Sequence, residues 1–93
     1  MAVEHEQIAT AIVDGQAKIM GVIALTMAAK VPGLTYVQGA GVRISGDGLD
    51  TLEKLVGEFA AVTGPLGARM CYMSAKPLLD RYPGVKVVAF DRF

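Results

Sequence analysis

The sequence predicts a small α/β (α+β) fold, a two-layer sandwich with helices packed on one face of a short mixed or antiparallel sheet. Three observations predict it. Apolar residues recur at helical spacing in residues 18–29 and 51–61. Short β-branched stretches stand at 34–45 and 85–90. Pro32-Gly33, Gly64-Pro65 and Pro83-Gly84 break the chain between them. The 93 residues leave no room for a second core, so residues 1–93 read as a single domain.

Residues 8–30 allow two readings. Ile8, Ile12, Ile19, Ile23 and Met27 fit one helical stripe, which predicts a single long helix. Asp14-Gly15 is a strong turn signal, which predicts a strand at 8–13, a turn, and a helix from Lys18 to Ala29. Ala17 with Gly21, and Ala24 with Ala28, are small residues four apart that let a neighbouring element approach closely. Residues 34–45, LTYVQGAGVRIS, read as extended. Gly39 and Gly41 make them one kinked strand or a tight hairpin.

Residues 45–48 are then a loop. Asp50 and Glu53 give a D-x-x-E pattern similar to a capping box, ahead of a helix over 51–61 with Leu52, Leu55, Val56 and Phe59 on one face. After Gly64-Pro65 a further helix is expected from Gly67 or Ala68 toward Tyr82, kinked or restarted at Pro77. VKVVAF, 85–90, reads as a strand covered on both faces.

Totals and inventory exclude several function classes. Nine basic and nine acidic residues cancel, with no basic stripe carrying interleaved aromatics, so nucleic acid is not an expected partner. The uncharged run 19–29 is too short to span a bilayer, and the start shows no basic stretch followed by an apolar core. One cysteine, Cys71, permits no internal disulfide and suits a reducing cytoplasm. One histidine, His5, near an end of the chain, offers no triad; with one Cys it makes no zinc-ligand pattern, and no carboxylates pair as acid and base. No catalytic residue, metal or cofactor is expected. Gly39-Ala40-Gly41 with Gly46 fits neither phosphate-loop pattern, and Asp47 and Asp50 oppose phosphate at the helix start that follows.

The stretch TGPLGARMCYMSAKP, 63–77, is the candidate ligand site. Gly64 and Gly67 would let the backbone come close to an anion, the Gly67 and Ala68 amides would face it, and Arg69 would supply a charged fork. Cys71 falls in the first turn of that helix, where a thiol pKa can drop; the other reading is an apolar filler in a core helix. Arg43, Lys18 and Tyr72 are further candidates for such a site.

Two segments resemble the histidine-containing phosphocarrier family, HPr. KIMGVIALTMAAK, with the later VRISGDGLDTLEKLVGEF, is similar to that family's second half; GPLGARMCYMSAKPLLDRYPGVKVVAF is similar to its first half. Here the halves stand in swapped order, over roughly 60 of the 93 residues. The family's phosphorylated histidine falls on Gly67, its neighbouring arginine on Arg69, the following proline on Met70 and the regulatory serine on Lys18. Little chain between Ala61 and Gly64 is left for the family's first strand. The resemblance implies a protein that cannot carry phosphate there, but keeps an anion-facing helix end or a docking surface.

The apolar share of 53% and mean hydropathy of +0.43 exceed a typical soluble domain, and five methionines suit adaptable apolar contacts. The first expectation is therefore a non-catalytic cytoplasmic binding or regulatory module, acting as a homo-oligomer or through a protein partner. The second is a binder of a small anionic ligand, or an enzyme acting on one, with its site at Gly64, Gly67, Ala68, Arg69 and Cys71. The third is a structural subunit of a larger assembly, with residues 91–93 extending the 85–90 strand for edge pairing.

Overall fold

Helical spacing overrides the Asp14-Gly15 turn signal. In the computed structural model, which describes residues 3–37, 39–91 and 93, α1 runs Val3–Met20 and α2 runs Val22–Ala28. Ile8, Ala9, Ile12, Val13 and Gln16 of α1 are buried on one face, and that burial outweighs a glycine in mid-helix. The strand at 8–13 is thus corrected to helix, and the break falls later, at Gly21, whose φ of 64° lies in the left-handed region that favours glycine.

Residues 34–44 form the tight hairpin rather than the kinked strand. β1, Leu34–Val37, pairs antiparallel with β2, Gly41–Ile44, with Leu34 opposite Ile44 and Tyr36 opposite Val42. Gln38 lies outside the described residues. Those four side chains share the inward face, while Thr35, Val37 and Arg43 are exposed. The outer edge of β2 is completed by α1. The Val42 N–H donates to Thr10 Oγ1 at 2.8 Å, and the Ile44 N–H donates to Glu6 Oε2 at 2.9 Å. Strand amides that would otherwise lie open are satisfied by helix side chains.

α3 runs Gly48–Thr63, and its cap is Asp47, whose carboxylate accepts from the Asp50 N–H at 3.0 Å. The expected D-x-x-E box from Asp50 does not form. Glu53 reaches across instead, and its carboxylate accepts from the Val88 and Ala89 N–H groups. α4 runs Pro65–Arg81, starting before the expected Gly67. Proline at the first position of a helix loses no intrahelical hydrogen bond. Pro77 stands inside α4 without ending it. Its ring nitrogen has no hydrogen to donate to the Met73 carbonyl, and both residues are on the exposed face of the helix.

The strand expected at 85–90 is absent; Val88–Phe90 is a single 3-10 turn. Val87 and Phe90 are buried while Val88 is exposed, a spacing of three that fits a 3-10 turn and not a strand. The edge-pairing segment expected there has no strand to extend, and Arg92 lies outside the described residues. The fold is therefore α+β, with four helices and one two-stranded antiparallel sheet among the described residues. No helix among them is long and apolar enough to cross a membrane.

α1 lies antiparallel to α4, because Gln16 meets Cys71 and the Tyr82 hydroxyl donates to Gln7 Oε1 at 2.7 Å. It runs in the same sense as α3, whose first residue, Gly48, abuts the His5 ring. The core between them holds Phe59, Ile8, Ile12, Leu52 and Leu55, all without solvent exposure.

Candidate functional site

The five residues of the predicted ligand site divide between two faces of α4. Gly64 closes α3, its N–H donating to the Ala60 carbonyl at 2.7 Å, and starts α4 with φ of 69°. Gly67 and Ala68 point inward and are buried. A side chain at Gly67 would collide with the Thr63 hydroxyl and come within 2.8 Å of the Phe59 carbonyl. The space left by its missing Cβ is taken by the last turn of α3.

Cys71 is fully buried in the second turn of α4 rather than the first. Its sulfur accepts a hydrogen bond from Gln16 Nε2 at 3.4 Å, which ties α4 to α1 and satisfies a buried amide. Burial pushes its thiol pKa up to about 11, with the Gln16 hydrogen bond opposing that rise. Of the two sequence-based readings of Cys71, the apolar filler in a core helix holds and the lowered pKa does not: desolvation exceeds any pull from the helix end.

Arg69 is exposed on the opposite face and lines a shallow cavity with Tyr72, Met73 and Phe93. Tyr72 meets Phe90 edge-on, ring centres 5.4 Å apart, and packs at a tilt against Phe93 at 5.5 Å. Of the further candidates, Tyr72 therefore joins Arg69, Lys18 sits in the last turn of α1, and Arg43 lies on the hairpin. Among the described residues, no three His, Cys, Asp or Glu side chains are grouped to hold a metal ion.

Cys71 gives a direct check of this geometry. In the folded protein its thiolate fraction at pH 8 should be about a hundredfold below that of an unfolded chain, so a thiol-specific reagent should label it at least that much more slowly than in denaturant. The sign of the pH dependence follows. The folded pKa is raised, so the stabilising contribution is complete below the unfolded value near 9 and is lost as pH climbs toward 11, at about 1.4 kcal/mol per pH unit. Prompt labelling of the native protein would contradict the buried position.

A second feature was not anticipated from the sequence. The antiparallel and parallel packing brings the end of α1, the start of α2, the end of α3 and the start of α4 to one end of the molecule. Two uncharged runs, 19–29 and 59–68, meet there. Ile19, Val22, Ile23, Val62 and Leu66 are between 57% and 70% exposed. The signal was in the sequence as charge-free runs, but only the packing shows that they converge.

The chain is thus a small α+β domain with exposed aliphatic side chains at the α1–α2 and α3–α4 junctions. Comparisons with protein-family models, with characterised proteins and with solved structures found no match.

Proposed function

We propose that this chain is a non-catalytic interaction module that works by self-association, two copies meeting through the charge-free end. The observation that carries the reading is the set of five exposed aliphatic side chains at that end, Ile19, Val22, Ile23, Val62 and Leu66. They offer on the order of 500 Å² of apolar surface, as large as the main apolar patch of a typical monomer and often a functional surface. With a rim of Lys18, Ala61 and Thr63, this approaches the roughly 800 Å² per partner that a stable interface needs.

A second copy suits this surface better than a different partner. A two-fold contact places each patch on itself, and the five aliphatic side chains bring no charge to its centre, which leaves Lys18 and Arg69 at the rim. Gly21 and Gly64 add small residues beside the aliphatic ones. In this reading the helices and the hairpin form two layers, and the protein works in a reducing cytoplasm, where the lone thiol of Cys71 stays reduced. Kinship with the phosphocarriers in permuted order would fit a docking role without phosphoryl transfer, since Gly67 replaces the histidine.

The alternative, an anion site at the start of α4, has one observation in its favour, the exposed Arg69 beside Tyr72. It would have to act through Arg69 and the Gly64 turn, because Gly67, Ala68 and Cys71 face the core.

Sedimentation equilibrium tests the first reading. The wild-type chain should give about twice 9.8 kDa at tens of micromolar, and the double substitution Ile23→Glu with Leu66→Glu should return it to 9.8 kDa with an unchanged circular dichroism spectrum. A wild-type mass of 9.8 kDa at several hundred micromolar would sink the proposal.

A further inference from the structure

At the other end of the molecule, α1 turns one helical face, Val3, Glu6, Gln7 and Thr10, into the floor of an open groove of about 470 Å³. The hairpin forms one wall with Val42 and Arg43; the last turns of α4 form the other with Leu78 and Arg81. The volume falls within the range of small-molecule sites.

The polar groups of the floor are already engaged. Glu6 accepts from the Ile44 N–H, Gln7 accepts from the Tyr82 hydroxyl, and Thr10 donates to the Glu6 carbonyl at 2.7 Å while accepting from the Val42 N–H. The two guanidiniums are not. Among the described residues, neither Arg43 nor Arg81 has a side-chain hydrogen bond or ion pair. The groove therefore presents two uncommitted positive forks, one on each wall, with aliphatic surface from Val3 and Leu78 beside them. One opposing charge, that of Glu6, faces the groove and leaves it net positive.

We propose that this groove binds a small organic molecule with an acidic group at each end, Arg43 holding one and Arg81 the other. A guanidinium pairs with carboxylate or phosphate oxygens through two parallel N–H donors, so either acid chemistry fits. The aliphatic lining would take the carbon chain between them. The inference does not depend on self-association, since it uses the opposite end of the molecule.

The test is an amide NMR titration of the full chain at low salt with succinate, glutarate and adipate, with butyrate and inorganic phosphate as comparisons. Saturable shifts at Thr10, Val42, Arg43 and Arg81 are expected with one or more of the dicarboxylates, at least tenfold tighter than with butyrate. Preference for inorganic phosphate, a single acidic centre, over all three dicarboxylates would overturn the two-ended reading. Arg43→Ala and Arg81→Ala should each weaken binding about tenfold, which is 1.4 kcal/mol, and both exposed substitutions should leave the melting temperature within a few degrees. Equal affinity for butyrate and the dicarboxylates, or saturation at other residues, or no shift up to about 10 mM, would overturn the proposal. Dimer formation with no groove binding would leave the self-association reading intact, and the reverse result would leave the groove intact.

Discussion

Phe59→Ala is expected to lower the melting temperature by about 15–30 °C, and to leave much of the chain unfolded at 37 °C. Phe59 is the largest side chain with no solvent exposure, and α3 presents it to the core where α1 and α4 converge. Truncating a buried Phe to Ala costs about 3–5 kcal/mol, part lost transfer energy and part the cavity left behind. A domain of this size holds roughly 5–14 kcal/mol in total, and each kcal/mol shifts its midpoint by about 4–8 °C. A thermal melt followed by circular dichroism reads this directly. A fall of less than about 5 °C would mean that Phe59 is not central to the packing.

Gly67→Val carries the second large effect, and Gly57→Ala is its counterpart. Both glycines lie inside helices, so propensity alone predicts that a side chain at either stabilises by up to about 1 kcal/mol. At Gly57 the position is exposed and nothing stands within 4 Å of an added Cβ, so Gly57→Ala should raise stability by roughly that amount. At Gly67 the added carbon meets the Thr63 hydroxyl and stands 2.8 Å from the Phe59 carbonyl. Thr63 can rotate aside; the carbonyl belongs to the backbone of α3 and cannot. Valine there should cost about 2–3 kcal/mol by forcing the two helices apart. Urea unfolding of the pair should therefore give opposite signs. A stabilised Gly67→Val would show that α3 and α4 are not in close contact at this turn.

The same residue shows why the ligand reading of the sequence was ambiguous. A glycine three residues after Gly64 reads identically whether an anion or a neighbouring helix occupies the space beside it. Only the turn at Gly64, which folds α4 back along α3, decides between them. Glu53 is a similar case. Its spacing from Asp50 suggested a local capping box, but the side chain serves amides 35 residues away, which no local pattern encodes. VKVVAF has the composition of a strand and finds no strand to pair with, so tertiary context prevails over propensity. What was legible rested on periodicity and punctuation: Ile8, Ile12 and Met27 of the first stripe, the amphipathic α3, and the breaks at Pro32-Gly33 and Gly64-Pro65; Ile19 and Ile23 of that stripe are exposed, because the helix breaks at Gly21. The Asp14-Gly15 signal failed because five buried residues on the same helix outweighed it. Of the two candidate surfaces, the charge-free end was half visible as uncharged runs. The two-arginine groove was not visible, since Arg43 and Arg81 are 38 residues apart in sequence and meet only through the hairpin's seat on α1.

That seat has a metric side. Glu6 and Thr10 are four residues apart on a helix, a rise of about 6 Å. The amides they hold, Ile44 and Val42, are two apart on a strand, about 6.6 Å. One turn of α1 thus matches one repeat of β2 and acts as a ruler laid along it. Sliding β2 by one residue would turn Val42 and Ile44 away from the core. Sliding it by two would keep the faces but leave only one of the two marks in register. The alignment of the hairpin is therefore written in the first helix, and not only in the turn that joins its strands.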